Sequence, residues 1–356
     1  MKKAVKVLAG LGIALLVFAA AVLLLFAGLR ARGKKAMQEV VSGVEIPPID
    51  LGSVSAASAD TIAWEPEEEP LREGEILYEG KRYRYRDDMI CMLLMGIDKK
   101  GKLGGAGNAL DGGQADALFL LVLDPQKKEY TILTINRNTM AEVDVFREDG
   151  SYEGLKIAQL ALQHGYGDGL EESCLRQIKA VSRFLHNVPV NSYVALNIAA
   201  VPELNDAVGG VPVVLAEDMR LDGVTHAAGE EVLLDGKQAV EYVQQRDVNV
   251  FDSNSERQQR QKQYMTGFVS KLREGARRDP GLTLELYRIA RDYMVTDIDI
   301  SRVTYMTSEF LSYHMSEAGI RSIPGEVRQG ELLEEFYADD EAVKDLIVEL
   351  FYDEVE

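Results

Sequence analysis

The sequence predicts an α/β protein, a central mixed β-sheet sandwiched between helices and preceded by one N-terminal transmembrane helix. Three observations predict it. Short apolar runs typical of buried strands recur along the chain, as in Met89–Ile97 and Ala117–Leu123. Amphipathic stretches lie among them without strict alternation, which favours a mixed sheet over a purely parallel one. Val7–Leu29 is a run of 23 residues with no charge.

That first run is long enough for a helix to cross a hydrocarbon core of about 30 Å. Lys2, Lys3 and Lys6 precede it, and Arg30, Arg32, Lys34 and Lys35 follow it. A cleaved signal peptide would have a shorter apolar region and a small-residue cleavage site. The expectation is therefore a short N-terminal tip over residues 1–6 and an uncleaved anchor over 7–29. Cations on both sides leave the orientation open.

Residues 30–87 read as a spacer ending in a short hairpin. Pro47-Pro48, the small residues Ser53–Ala59 and the acidic, Pro-flanked Glu65–Pro70 bury little apolar area. Glu75–Arg86 then alternates around the turn Glu79-Gly80. The packed domain is expected over 88–330. Met89–Ile97, Ala117–Leu123 and Tyr130–Ile135 are its first strands, and Lys156–His186 reads as mostly helical. Tyr193–Ile198 is a strand, Val201–Val208 a helix stopped by Gly209-Gly210, and Val211–Leu215 a strand. Asp235 is a candidate N-cap for a helix to Gln245. Ser255–Arg273 is a long helix, broken from the next by Asp279-Pro280. Ile300–Tyr313 is helical and Ile320–Ile323 a short strand. The last 26 residues hold eleven acids and one lysine, with Val343, Ile347, Leu350 and Phe351 as an apolar stripe. Residues 331–356 therefore read as an acidic amphipathic helix.

Composition removes several functions. The 356 residues carry 39 Lys and Arg against 58 Asp and Glu, a net charge of −19. Beyond residue 35 the balance is 32 against 58, or −26. Such a chain repels nucleic acid, and no basic helix-turn-helix pattern appears. Two cysteines, Cys91 and Cys174, cannot build a disulfide framework or a four-cysteine zinc site; both sit in apolar or helical runs as buried thiols. His164, His186, His226 and His314 have no metal-ligand spacing. Gly101–Gly113 is glycine-rich but lacks the Gly-Lys-[Ser/Thr] ending of a phosphate-binding loop. No Gly-x-Ser-x-Gly elbow occurs.

What brackets that loop is more informative. Asp98 ends one predicted strand and Asp116 begins the next. Two strand-end carboxylates joined by a loop can converge on a hard cation such as Mg²⁺, or can simply cap turns. Arg137 closes the third strand, Arg246 follows a helix, and Arg257 and Arg260 lie three apart on one helix face. Arginines at element ends beside two aspartates fit a phosphate-and-metal site, because the guanidinium fork is permanently charged and matches phosphate oxygens. Salt bridges to the abundant acids are the competing reading.

Several of these segments occur together in a familiar order. They are Met95-Gly96-Ile97-Asp98, Gln114-Ala115-Asp116, Ile135-Asn136-Arg137-Asn138-Thr139, Lys156-Ile157, Ala207-Val208-Gly209-Gly210-Val211, Glu217-Asp218-Met219, Leu234–Ala239, Tyr242–Asp247 and Glu256–Gln261. In this order, over about residues 88–275, the chain resembles the LytR–CpsA–Psr family. The resemblance implies an α/β/α sandwich with a central mixed sheet, in a bacterial protein with its N-terminus cytoplasmic and its catalytic domain outside the cell membrane. It implies an Mg²⁺-dependent phosphotransferase that moves an anionic glycopolymer, such as a teichoic acid, from a polyprenyl-pyrophosphate carrier onto peptidoglycan. By matching positions, Asp98 and Asp116 hold Mg²⁺ and, with Arg137 and Arg246, form the catalytic set. Arg137, Lys156, Arg246, Arg257 and Gln261 bind the pyrophosphate, and an apolar tunnel takes the prenyl chain.

Three positions depart from the family pattern. Gln114 and Gln244 stand where the family usually has arginine, and Asn138 where it usually has aspartate. Each lost charged hydrogen bond removes about 1.5–3 kcal/mol. A hydrolytic or non-catalytic carrier-binding module is therefore the alternative to a diverged transferase.

Overall fold

A computed structural model describes residues 23–52, 71–106, 110–246, 251–279, 281–331 and 333–355. Helix α1 spans residues 23–38. The hairpin β1 (Glu75–Tyr78) and β2 (Lys81–Tyr85) follows, then β3 (Ile90–Ile97), β4 (Ala115–Asp124), β5 (Glu129–Ile135), β6 (Met140–Phe146) and β7 (Tyr152–Gln159). A 3-10 segment, Leu160–Tyr166, leads into α2 (Glu171–Phe184), β8 (Ser192–Asn197), α3 (Val201–Ala207) and β9 (Val211–Val214). After the short β10 (Met219–Leu221), β11 (Val224–His226) and β12 (Glu231–Leu234) come α4 (Gly236–Gln244), α5 (Ser253–Arg278) and α6 (Leu282–Ala290). The chain ends with β13 (Met294–Thr296), α7 (Ile300–Phe310), β14 (His314–Ser322), β15 (Gly325–Gln329), β16 (Glu334–Ala338), α8 (Asp340–Phe351) and β17 (Tyr352–Val355).

Six strands form the main sheet in the order β13-β8-β3-β4-β5-β14. The β3/β8 and β14/β5 pairs are parallel and the others antiparallel, so the sheet is mixed, as expected. Strand β3 shows why its sequence is apolar throughout. Cys91, Leu93 and Met95 point to one face, into a core shared with Cys174 and Ile178 of α2 and Val343 and Ile347 of α8. Met92 and Ile90 point to the other, against Met37 of α1 and Tyr305 of α7. Both cysteines are free and buried, and burial pushes their thiols well above the ordinary range. Helix α5 lies across that second face and reaches from the C-terminal ends of β3 and β5 to their opposite ends. Asp235 closes a capping box with Gln238 at the start of α4, which fixes where that helix begins.

Three segments differ from the sequence expectation. Lys156–Gln159 is strand, because β7 pairs with β6 as a hairpin lying outside the main sheet. Both its faces are largely exposed, so the periodicity that marks a buried strand is missing. Within the expected spacer, residues 36–52 are packed. Met37, Val41 and Leu51 are buried, and the Val41 and Asp50 amides donate to the Val190 and His186 carbonyls at 3.0 and 3.1 Å. The acidic C-terminus is a helix only over α8, where Asp339 caps it by accepting from the Ala342 amide; β17 pairs with β2 and ties the end of the chain to the hairpin. Val7–Leu29 falls mostly outside the described residues, as do Ser53–Ala59 and Glu65–Pro70. Among the described residues no helix is long and apolar enough to cross a membrane.

Candidate active site

The C-terminal ends of β3 and β5 and the start of β4 meet at one end of the sheet, and the predicted acids sit there. Gly96 pairs with Ala117 and Ile97 with Ala115, so Asp116 is the extra residue of a β-bulge. A bulge re-aims a side chain that regular alternation would point elsewhere. The Asp98 and Asp116 amides both donate to the Gln114 carbonyl, each at 3.1 Å.

The Asp116 carboxylate lies between two arginines. Its Oδ1 is 2.5 Å from Nη1 of Arg137, and its Oδ2 is 3.6 Å from Nη1 of Arg257. Arg137 also donates through Nη2 to the Gln114 side chain. Its backbone is set by the turn after β5, where the Asn136 side chain accepts from the Asn138 amide at 2.9 Å. Arg257 donates through Nη2 to Asn254 at 2.6 Å, and Asn254 donates to Asn136 at 2.9 Å. A chain of buried amide side chains thus locks the α5 arginine to the β5 turn that carries the other.

Burial opposes the charge on both guanidiniums. Burial, helped by the neighbouring Arg246, lowers the Arg137 pKa against the pull of Asp116 and Asp98. Burial pushes Arg257 down to about 10, with Arg246, Arg137 and Arg260 adding to the effect and Asp116 opposing it. Three cations therefore crowd around one paired carboxylate. The Nε–H groups of Arg137 and Arg257 are buried and have no hydrogen-bond partner among the described residues. Two orphaned charged donors beside a third cation leave an unmet demand for an anion.

The other predicted residues lie at different distances from this centre. Arg246 follows α4, half-buried, and its charge reaches both guanidiniums. Arg260 does not face the cluster; it pairs with Glu217 at 2.9 Å and donates to the Tyr242 and Gln245 carbonyls, so it holds the segment that carries Arg246. Gln261 donates to the Val243 carbonyl at 3.2 Å. Lys156 sits on the exposed β7 and pairs with Glu153 at 2.6 Å; among the described residues no hydrogen bond or ion pair joins it to the arginines. His164 is buried, with Nδ1 facing the Gly113 carbonyl.

Asp98 and Asp116 are the two carboxylates at this end of the sheet that could hold a hard cation, and Asp116 is also the partner of two arginines. Asp98 is exposed beside the bulge, and Asp116 Oδ1 is buried and accepts no directed hydrogen bond. Among the described residues no group of three or more His, Cys, Asp or Glu side chains gathers. Two carboxylates alone would leave a hard cation to complete its shell with substrate oxygens and water.

Behind the arginines the structure supplies a lining that the sequence could not. A cavity of about 240 Å³ is walled by Gly96 and Ala117 from the sheet, Leu204 from α3, and Gln261, Tyr264 and Phe268 from α5. A second, of about 320 Å³, is walled by Leu121, Ile132, Val269, Leu272, Met306 and Tyr313. Leu94 and Met265 line both. Sequence reading also missed Asn136 and Asn254. Asn136 stands next to Arg137, and Asn254 three residues before Arg257, where a short polar side chain at the start of a helix reads as an ordinary cap.

Comparison with known proteins gives a consistent pattern. The sequence model of the LytR_cpsA_psr family matches residues 55–349. The chain is 29% identical over 183 residues to the polyisoprenyl-teichoic acid–peptidoglycan teichoic acid transferase TagU of Enterococcus faecalis, covering 51% of this chain and 53% of that protein. The match thus spans about half the length of the relative. Among solved structures, protein gbs0355 from Streptococcus agalactiae superposes with a TM-score of 0.58 at 18% identity, over 73% of this chain and 87% of that one. TagT bound to LI-WTA superposes with a TM-score of 0.56 at 19% identity, over 74% of this chain and 89% of that one.

Proposed function

The chain belongs to the LytR–CpsA–Psr family, and from that membership we propose that it is a membrane-anchored, extracytoplasmic phosphotransferase. Its substrate is an anionic glycopolymer on a polyprenyl-pyrophosphate carrier, and its acceptor is peptidoglycan. One observation carries the reading. Arg137, Arg246 and Arg257 come from three separate elements and act on one another's charge, two of their Nε–H groups are buried with no partner among the described residues, and an apolar cavity lined by Gly96, Ala117, Val243 and Gln261 begins within four residues of Arg246 and Arg257 in sequence. A ligand with a pyrophosphate head and a hydrocarbon tail matches both halves at once.

The residues divide the work. Arg137 and Arg257 offer their free Nε–H groups to phosphate oxygens, and Arg246 adds charge without a competing carboxylate among the described ion pairs. Asp98 and Asp116 would hold Mg²⁺, which would supply charge neutralisation for the phosphate oxygens. An acceptor hydroxyl oxygen bonds to the phosphorus next to the glycopolymer. The bridging P–O bond to the carrier phosphate breaks, the hydroxyl proton passes to water, and polyprenyl phosphate leaves. The arginines stabilise the charge that gathers on that leaving group. Asp116 keeps Arg137 and Arg257 within reach of one another before substrate arrives.

Carrier binding without turnover is the second reading, favoured by the uncharged Gln114, Asn138 and Gln244. Gln114 nevertheless keeps Arg137 in place by accepting from it. The test is a reconstituted transfer assay with glycopolymer-pyrophosphoryl-polyprenol and peptidoglycan. Peptidoglycan-linked polymer together with released polyprenyl phosphate supports the transferase. Binding with neither product supports the alternative.

A further inference from the structure

Helix α5 begins on an aspartate that does not cap it. Asp252 occupies the N-cap position with a left-handed backbone, φ +65°, and its side chain makes no capping hydrogen bond. An aspartate there ordinarily turns its carboxylate onto the amides of the first turn. Asp252 instead has a buried Oδ1 with no hydrogen-bond partner among the described residues. A carboxylate oxygen accepts and never donates, so what it lacks is a donor.

The place of Asp252 is fixed from two sides. Its amide donates to the Glu334 side chain at 2.6 Å, and the Glu334 carbonyl accepts from Gln159 of β7 at 2.8 Å. Two residues along β16, the Phe336 amide donates to the Asn138 carbonyl at 2.9 Å, next to Arg137. Two residues along α5, Asn254 bonds to Asn136 and to Arg257. Both routes lead to the turn that carries Arg137. Asp252 therefore stands at the rim of the arginine cluster, at most about 7 Å of backbone from Asn254.

Around this carboxylate the surface is apolar. Phe251 and Leu333 adjoin the two residues that the 2.6 Å bond joins, and they are 56% and 62% exposed. Ile157 lies on the same face of β7 as Gln159 and is 62% exposed. Exposed apolar side chains gathered from three stretches of chain mark a contact surface.

The chemistry of the patch narrows its occupant. An apolar protein face would leave the Asp252 oxygen buried and unpaired. A phosphate chain would meet Asp252 and Glu334 as like charges. A neutral sugar ring suits both parts. Its C–H face packs on the Phe251 ring, and its hydroxyls donate to carboxylate oxygens.

We propose that Phe251 and Asp252 form a subsite for a sugar ring of the acceptor glycan, with Phe251 stacked on the C–H face and Asp252 Oδ1 accepting from a ring hydroxyl. The proposal rests on the transferase reading above and adds where peptidoglycan docks. The acceptor reaches the arginines from the side on which β7, β16 and the start of α5 meet. Ile157 and Leu333 extend the contact to a neighbouring ring.

The experiment uses the full chain in lipid nanodiscs. Calorimetry measures the binding of soluble, uncross-linked peptidoglycan strands, with undecaprenyl pyrophosphate as the control ligand. Phe251→Ala should weaken strand binding about tenfold, the effect of one lost aromatic stack. Asp252→Gly, which suits the left-handed backbone, should weaken it about tenfold through one lost charged hydrogen bond. Both variants should keep the carrier affinity, and neither should melt at a lower temperature. Phe251→Trp should bind strands as the unsubstituted chain does. Unchanged strand affinity in both folded variants overturns the proposal. So does binding of poly(glycerol phosphate) that Phe251→Ala abolishes, which assigns the patch to an anionic polymer. A dimer that Phe251→Ala dissociates in sedimentation also overturns it, by assigning the patch to a second copy. The two readings fail separately. Strand binding that depends on Phe251, without polymer transfer, supports the subsite and removes the transferase. Transfer with an unchanged KM for peptidoglycan in Phe251→Ala overturns the subsite and keeps the transferase.

Discussion

Asp98 and Asp116 hang from a single acceptor: their backbone amides both donate to the Gln114 carbonyl at 3.1 Å. The bulge at Asp116 makes this possible, and it separates the two carboxylates by environment. Asp98 is exposed, whereas Asp116 faces two buried guanidiniums.

That difference predicts different mutant behaviour. Asp98→Ala should abolish Mg²⁺-dependent transfer while changing stability by less than about 0.5 kcal/mol. Asp116→Ala should abolish transfer and also cost about 1–3 kcal/mol, because two buried cations lose their counter-charge. Added inorganic pyrophosphate should then raise the melting temperature of Asp116→Ala more than that of the unsubstituted protein. Thermal melts with and without pyrophosphate, beside transfer assays, check both. Full transfer in Asp98→Ala would remove that residue from the metal site.

Gln244 ends α4, half-buried, two residues before Arg246. Gln244→Arg adds a bidentate phosphate donor next to an existing cation. Pyrophosphate affinity, read by calorimetry, should tighten by about tenfold, the worth of one charged hydrogen bond. No gain, or a loss, would mean that the glutamine reads a less charged ligand.

The Arg86–Asp124 pair predicts the acid limb of stability. The two groups meet at 2.7 Å, with both side chains buried. Burial pushes the Asp124 carboxyl up, but hydrogen bonds from the Lys127 amide and from Arg86 outweigh it and leave the carboxyl below the ordinary range. Its contribution is therefore complete above its unfolded pKa of about 3.9 and is lost as pH falls through the lower folded value. Urea unfolding midpoints should drop below about pH 4. In Asp124→Asn they should be lower at neutral pH by about 1–3 kcal/mol in stability, with a shallower acid limb. An unaltered acid limb in that variant would assign the titration to other carboxylates.

Legibility in the sequence followed burial. Strands β3, β4 and β5 were readable because each is apolar along most of its length, and α4 because Asp235 and Gln238 form a local cap. Strand β7 was obscured because an exposed strand need not be patterned, and β6 because Glu142 and Asp144 interrupt its buried residues. The docking of Met37, Val41 and Leu51 was illegible because single apolar residues carry no period. In the site, the acids and arginines showed through as charged residues at element ends. The bulge at Asp116, the Asn136–Asn254–Arg257 chain and the cavity lining depend on residues far apart in sequence, so only the folded chain reveals them.

The central claim is that Arg137 and its neighbours grip a carrier pyrophosphate. The most direct measurement is the affinity of the full chain for undecaprenyl pyrophosphate, with and without Arg137→Ala. The orphaned Nε–H of Arg137 predicts a loss of at least tenfold, which exceeds what an exposed salt bridge contributes, with the folded fraction unchanged. Unchanged affinity in a folded Arg137→Ala protein would contradict the phosphate site, because no other side chain on the β5 turn offers a charged fork of donors.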